Sequence, residues 1–449
     1  MGGSMFKNKF YSEYIKIVIP ILLQSLLTTL VSVVDNLMVG QLGDEAIAAV
    51  AMANRILGIM IFTIFGVGVA SSVFIAQYYG AKNIEKQKES FRTGIILSII
   101  VYALFTMSYF SFSSDIVRFF IQSETIEQYT IEYISIMLVG CAPYLLTINY
   151  FDALRVIGQV KLPLIASLVG VGVNTCLNYV LIFGHFGFSR MGVAGAAIAT
   201  VISRIVEFLL IYCAVCYYKF EFNTKWRELC HISSDLFRRI YVKTLPLVFN
   251  EIIFAFAQAT ILKLYGVRGG EVVAAYSISD TTRSIFYAFM TGASVATPIF
   301  ISQRLGAGKL DEAYWNAKMM LKTVGIVSII LGGIMFGTSY IVPDLYHISE
   351  HSHQLSVELI QISAILFWAS LFNSQIYYIM RAGGDMTSTL VMDGLFYWCV
   401  TIPALAIATY FTSLPIILVY VVGQCCEIGK MGISFIFFFK KKWLKNLTE

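Results

Sequence analysis

Two stretches decide how this chain is read: "VGQLGDEAIAAV", Val39 to Val50, and "YGVRGGEVVAAY", Tyr265 to Tyr276. They lie 226 positions apart, and the same shift relates their surroundings. Upstream, "IPILLQ" from Ile19 meets "LPLVFN" from Leu245; downstream, "VFIAQYYGAK" meets "IFISQRLGAG". Without gaps, Pro20 to Ala81 gives 15 identities in 62 positions against the second copy. The shift also carries Arg155 and Gly158 ("LRVIGQ") onto Arg381 and Gly384 ("MRAGGD"). The chain is therefore expected to be two copies of one unit.

The unit is a membrane unit. The 449 residues are 58% hydrophobic and 13% charged, with mean hydropathy +0.75. Soluble domains carry about twice that share of charge. Twelve apolar runs read as spans near 15–39, 46–78, 92–114, 128–154, 163–184, 191–218, 241–265, 272–303, 318–340, 355–380, 388–410 and 415–439. A backbone in hydrocarbon must satisfy its own hydrogen bonds, so each run should be a helix. The fold class expected is an all-α polytopic membrane protein, with twelve transmembrane helices in two six-helix lobes. The N-lobe takes 1–218, a polar cytoplasmic linker 219–240, and the C-lobe 241–449.

Basic residues sort to one side of these spans: Lys7, Lys9, Lys16, Lys82 to Arg92, Arg155, Lys161, Lys219 to Lys243, Arg304 to Lys322, Arg381 and the tail "KKKWLK". The other side keeps Arg118, Arg190 and Arg268. The positive-inside rule then puts both termini in the cytoplasm, as an even span count requires. The net charge of +5 reports this orientation rather than a nucleic-acid partner. Met5 reads as the natural start, and the first apolar run as a span rather than a cleaved signal.

Two like lobes of six spans each, starting from the same side, are parallel repeats, an architecture of secondary transporters. There is no "GxxxxGK[ST]" loop for ATP, no nucleophile elbow and no dinucleotide fingerprint. Cys213 and Cys216 lie in an apolar helix, and His351 and His353 in a solvated loop, so neither pair reads as a redox or metal site. An enzyme is not expected, nor a metal beyond a coupling Na⁺.

The residues that carry these features resemble the multidrug and toxic compound extrusion (MATE) family across nearly the whole chain. The likeness rests on "SVVDNLMVGQLG" (Ser32 to Gly43), "AQYYGAK", "ALRVIGQVKLPLIASLVGVGVN" (Ala153 to Asn174), "NYVLIFG" (Asn178 to Gly184), "GVAGAAIATVIS" (Gly192 to Ser203), "LPLVFNE" and "MRAGGD". It implies export of organic, often cationic, compounds against inward flow of Na⁺ or H⁺.

Asp35 is the first candidate for that coupling. It lies 19 residues past Lys16, or about 28 Å along a helix, towards the outer end of span one. A carboxylate there is costly unless it has a task. Its repeat counterpart is Ile261, so the fold alone does not need it. Asn174 and Asn178 share one face of span five and offer hard amide oxygens. Thr200 in "GAAIAT" matches a family position whose hydroxyl can complete the set. The family pattern allows an aspartate where Asn178 stands, which leaves Asp35 as the one carboxylate here.

A second candidate set, for coupling or substrate, is Glu251 in span seven, Asp280 in span eight, and Asn373 and Gln375 in span ten. Asp280 has Asn54 as its counterpart, and polar groups at matching places could line one cavity. Arg204 with Glu207, Asp280 with Arg283, and Glu427 with Lys430 are each three apart, where helix neighbours can neutralise each other. Asp393 reads as a boundary residue. Aromatic faces suit organic cations, and Tyr276, Phe286, Tyr287, Tyr377 and Tyr378 are candidates for a central cavity.

The expected function is a cation-coupled antiporter working by alternating access, with a small organic molecule bound between the lobes and no organic cofactor. The chain is expected as a monomer in the cell membrane. A lipid-linked precursor flippase, which would want a basic cavity, and a dedicated metabolite exporter are the alternatives. A receptor or scaffold would need long extramembrane regions, which the sequence lacks.

Overall fold

The computed structural model describes residues 2–120, 123–346 and 348–449; the side chains of Lys7 and Lys9, counted in the basic tally, lie outside the described residues. The chain divides into two compact units, Met1–Thr244 and Leu245–Glu449. Among the described residues there are twelve helical spans long and apolar enough to cross a membrane. The protein is a multi-pass membrane protein.

In unit 1 each span is one helical element: α1 Gly2–Gly40, α2 Asp44–Gly80, α3 Ile84–Phe120, which kinks at Phe112, α4 Glu124–Val156, α5 Lys161–Phe183 and α6 Gly192–Tyr217. Unit 2 opens within α7, Ser234–Gly266. Its second span is broken into α8 Gly270–Tyr287, α9 Phe289–Phe300 and the short α10 Ser302–Gly306. Then come α11 Leu310–Thr338 and α12 Glu350–Ala382. The fifth span starts as α13 Met386–Leu390, widens into two π-helical turns, Val391–Leu395 and Tyr397–Thr401, and ends as α14 Ile402–Tyr410. Helix α15, Ile416–Phe439, completes the unit.

Backbone geometry repeats with the sequence. Pro20 lies inside α1 and Pro246 inside α7. The turn after each of these helices needs a left-handed residue: Gly43 has φ 110° and Gly269 φ 118°. A side chain at either would be strained, which explains why both glycines recur. Gly158 and Gly384 likewise share a positive φ, 87° and 79°. The 226-residue shift is thus a repeat of structure.

Several helices start earlier than hydropathy indicates. The third span begins at Ile84 rather than near 92, the ninth at Leu310 rather than near 318, and the seventh at Ser234 rather than near 241. The extra turns are polar, so an apolar window passes over them. They are held by helix-neighbour ion pairs such as Lys86–Glu89 at 2.7 Å and Lys309–Glu312 at 3.5 Å.

Small residues set the packing of α6 on α5 and α4. A Cβ on Gly195 would lie 2.7 Å from the Leu181 carbonyl oxygen, and one on Gly140 would lie 3.0 Å from Val201 Cα. Such close backbones replace the hydrophobic drive that lipid removes. Large apolar side chains such as Phe62, Leu104, Met107 and Ile329 stay exposed, as a lipid-facing surface requires.

Each unit has a segment folded against the end of its bundle. In unit 1, Phe222 from the stretch after α6 is fully buried against Phe91 and Tyr150. Arg92 fastens that stretch through the His231 carbonyl, 2.9 Å, and Glu228, 3.3 Å. In unit 2, Trp443 from the tail is fully buried against Phe438 and Tyr314.

Candidate functional site

Asp35 sits on the last turns of α1 and opens onto a cavity of about 220 Å³ within unit 1. Asn178, Thr200 and Asn54 line the same cavity. The structure brings all four residues of the first candidate set together. Asn178 Nδ2 donates to Asp35 Oδ1 at 2.6 Å and to Asn174 Oδ1 at 3.2 Å. Asn174 Nδ2 donates to Thr200 Oγ1 at 3.2 Å, while the Thr200 hydroxyl donates to the Ala196 carbonyl at 3.0 Å.

With its amide nitrogen turned to Asp35, Asn174 donates to Oδ1 and Oδ2 at 2.9 and 3.1 Å and its oxygen accepts from Thr200 at 3.2 Å, the placement that suits a carboxylate, which only accepts. Asn178 Oδ1, on the amide whose nitrogen faces Asp35, is buried without a hydrogen-bond donor among the described residues.

A second network lies beside this one. Gln24 on α1 is 6% exposed. It donates to Ser167 at 2.7 Å and accepts from Arg155 Nη2 at 2.8 Å. Ser167 donates to Glu207 at 2.8 Å, and Glu207 pairs with Arg204 at 2.8 Å. Arg204 stacks on Tyr144, 4.2 Å from the ring centroid, and both reach the cavity. Sequence reasoning missed Gln24 and Ser167. The available signal was the recurrence of "IPILLQ" as "LPLVFN", which put a polar amide at one place in both copies.

Unit 2 holds a larger cavity of about 490 Å³. Glu251, Asp280, Asn373, Tyr287, Tyr377 and Tyr378 line it, joined by Arg283, Arg381, Asp393, Tyr397, Glu427 and Lys430. Asn54 lines the cavity of unit 1, and Asp280, at the matching position, that of unit 2.

Several sequence expectations change here. Asp393 is no boundary residue: the π-helical turn carries it into the cavity, where it accepts from Lys430 Nζ at 2.5 Å and Asn250 at 3.3 Å. Lys430 therefore pairs with Asp393 across helices, not with Glu427 on its own helix. Glu427 instead accepts from the Tyr397 hydroxyl at 2.8 Å and Asn373 at 2.9 Å. Asp280 and Arg283 do pair, at 2.8 Å. Gln375 is buried away from the cavity and donates to Thr297 at 3.2 Å. Tyr276 packs on Tyr265 and Tyr420, and Phe286 on the core of unit 2, so neither lines the cavity. Helical periodicity gave no direction for these aromatics, because every face of such a span is apolar.

The two networks occupy matching places. The 226-residue shift relates Gln24–Ser167 to Asn250–Asp393, Arg204 to Lys430, and the stacking of Arg155 on Phe151 to that of Arg381 on Tyr377. The Asp35 group has no such counterpart. Asn174 and Asn178 shift onto Val400 and Ala404, and Thr200 onto Cys426.

Known proteins agree with this architecture. A family model described as MatE matches residues 20–180 and 246–407, one block in each copy. The chain is 27% identical to the probable multidrug resistance protein YoeA of Bacillus subtilis, over 90% of this chain and 88% of that one. It is 23% identical to the probable multidrug resistance protein NorM of Bradyrhizobium diazoefficiens, over 95% and 93%. The crystal structure of the Vibrio cholerae MATE transporter VcmN in the bent form superposes with a TM-score of 0.88 at 18% identity, covering 97% of each chain. By its sequence, its repeated architecture and these likenesses, this chain belongs to the MATE family of membrane transporters.

Proposed function

We propose that this protein exports small organic compounds through the cell membrane, driven by inward movement of Na⁺ or H⁺ coupled at Asp35. The family and the multidrug resistance names of its relatives support export. The carrying observation for coupling is the Asp35 group: a carboxylate, two amides and a hydroxyl on three helices, found in one copy of the repeat only.

Its chemistry fits either ion. A proton on Asp35 would make it a donor and so change its bonds to Asn174 and Asn178. Sodium would find hard oxygen ligands in the Asp35 carboxylate and, once its amide turns, in Asn178. Either event changes which bonds tie α1 to α5, so ion entry would shift the helix that carries Asp35. The basic residues gathered at one end of the spans support cytoplasmic termini, and thus inward ion flow on this side chain. The substrate is read as an amphipathic compound bearing a positive charge.

The test is reconstitution in liposomes with efflux of ethidium under separate Na⁺ and H⁺ gradients. Faster efflux under one of them is expected. Equal, gradient-independent rates would overturn the coupling, and no efflux at all the export.

A further inference from the structure

We propose that the cavity of unit 2 is a binding site for zwitterions, in which Arg381 takes the substrate's carboxylate or other planar anion and Glu251 its positive group. This rests on the export reading above and narrows the substrate class.

The argument comes from comparing the two copies. In unit 1, Arg155 is neutralised within the fold: Asp152 lies 3.6 Å away, one helical turn earlier, and Gln24 accepts from it at 2.8 Å. In unit 2 both partners are gone. Tyr378 stands at the place of Asp152. Asn250, at the place of Gln24, is turned to Tyr377 at 3.1 Å and to the Gly394 amide at 2.9 Å. Arg381 keeps its stacking on Tyr377, 5.0 Å from the ring centroid, and has no carboxylate within 4.0 Å among the described residues.

Across the same cavity, unit 2 adds a charge that unit 1 lacks. Glu251 occupies the place of Ser25 and lines the cavity without an ion pair or hydrogen bond among the described residues. The other charges there already have bonding partners: Asp280 has Arg283, Asp393 has Lys430, and Glu427 has a tyrosine hydroxyl and an amide. One acid and one base remain, each feeling the other across a shared space but too far apart to bond. Such a pair is only partly compensated, and a ligand carrying both signs would satisfy the two at once. The guanidinium fork matches a carboxylate in two parallel bonds, and the tyrosines beside it offer faces to an aromatic body.

The test uses two dyes that differ only at this group. Rhodamine 110 carries a free carboxylate, and rhodamine 123 is its methyl ester. Binding to the purified full chain is followed by fluorescence polarisation. The expected result is a preference for rhodamine 110 of roughly tenfold or more, the worth of a charge-assisted hydrogen bond. Arg381→Gln should bring the ratio of the two affinities close to one. Arg381→Lys keeps the charge but loses the fork, and should fall between. Glu251→Gln should weaken both dyes while keeping their ratio. An unchanged ratio in Arg381→Gln, or an equal loss for both dyes, overturns the proposal. Should Arg381→Gln fail to fold, an unaltered ratio in Arg381→Lys does the same. Efflux is measured separately: dyes that bind with an Arg381-dependent ratio but never leave proteoliposomes would sink the export reading and keep the site.

Discussion

Replacing Gly383 by alanine should free the C-terminal tail. The backbone at Gly383 is ordinary right-handed helix, φ −81°, and its counterpart Ile157 carries a full side chain. Conformation therefore does not demand glycine here; space does. A Cβ at this position would lie 2.0 Å from the Trp443 carbonyl oxygen, 2.7 Å from its carbon and 2.8 Å from the Trp443 Cβ. The tail backbone would have to retreat by roughly 1 Å before contacts become tolerable. Trp443 is fully buried, and a tryptophan buries some 150–250 Å², worth about 4–6 kcal/mol at ~25 cal/mol per Å². Losing half of that costs about 2–3 kcal/mol, or roughly 30- to 150-fold in the docking equilibrium. Limited trypsin digestion reads that population directly, since "KKKWLK" offers several sites and cleavage tracks the open form when reclosing is fast. Gly383→Ala should speed clipping at Lys440 to Lys445 by at least thirtyfold, and Ile157→Ala should leave it unchanged. Equal clipping of wild type and Gly383→Ala would refute the claim that the glycine exists to seat the tail.

Three further outcomes follow from the buried networks. Gln24→Leu strips Ser167 and Arg155 of a partner and should cost about 1–3 kcal/mol, seen as a lower melting temperature. Lys430→Met leaves Asp393 without its counter-charge, only Asn250 still donating to it, and should cost roughly 3–5 kcal/mol; adding Asp393→Asn should recover much of it, which a double-mutant cycle in detergent would show. Gly195→Val would press against the Leu181 carbonyl and should separate α5 from α6, weakening the Asp35 group as well as stability. A Gly195→Val protein with wild-type melting and wild-type efflux would contradict that packing.

Much of the fold was legible because the repeat is written in residues with backbone consequences. Gly43 with Gly269 and Pro20 with Pro246 mark turns and bends that both copies need, and they align without gaps. Span ends were harder to read, since helices such as α3 and α11 continue into polar turns that hydropathy ignores. The break of the eighth span and the π turns of the eleventh left little trace in composition.

The Asp35 group was legible for a different reason. Asn174 and Asn178 are four apart on one helix, and polar residues so placed in an apolar span leave few readings. The unit 2 cavity was legible in part: Glu251, Asp280, Asn373, Tyr287, Tyr377 and Tyr378 line it and Asp280 pairs with Arg283, but most of its bonds were hidden. Its pairings cross helices, as Lys430 does to reach Asp393, whereas sequence spacing reports only neighbours on one helix. The aromatic lining failed in the same way: Tyr377 and Tyr378 reach the cavity and Tyr276 does not, although all three lie in equally apolar surroundings.

The central claim is that Asp35 couples ion entry to export, and counting ions tests it most directly. Proteoliposomes with a pH-sensitive dye inside, and a parallel set assayed for ²²Na⁺ uptake, would report the ions that enter per ethidium released. Wild type should show substrate-dependent entry of one of the two ions. In Asp35→Asn that entry should vanish while ethidium still equilibrates down its own gradient. Ion entry per ethidium at the wild-type ratio in Asp35→Asn would contradict the account.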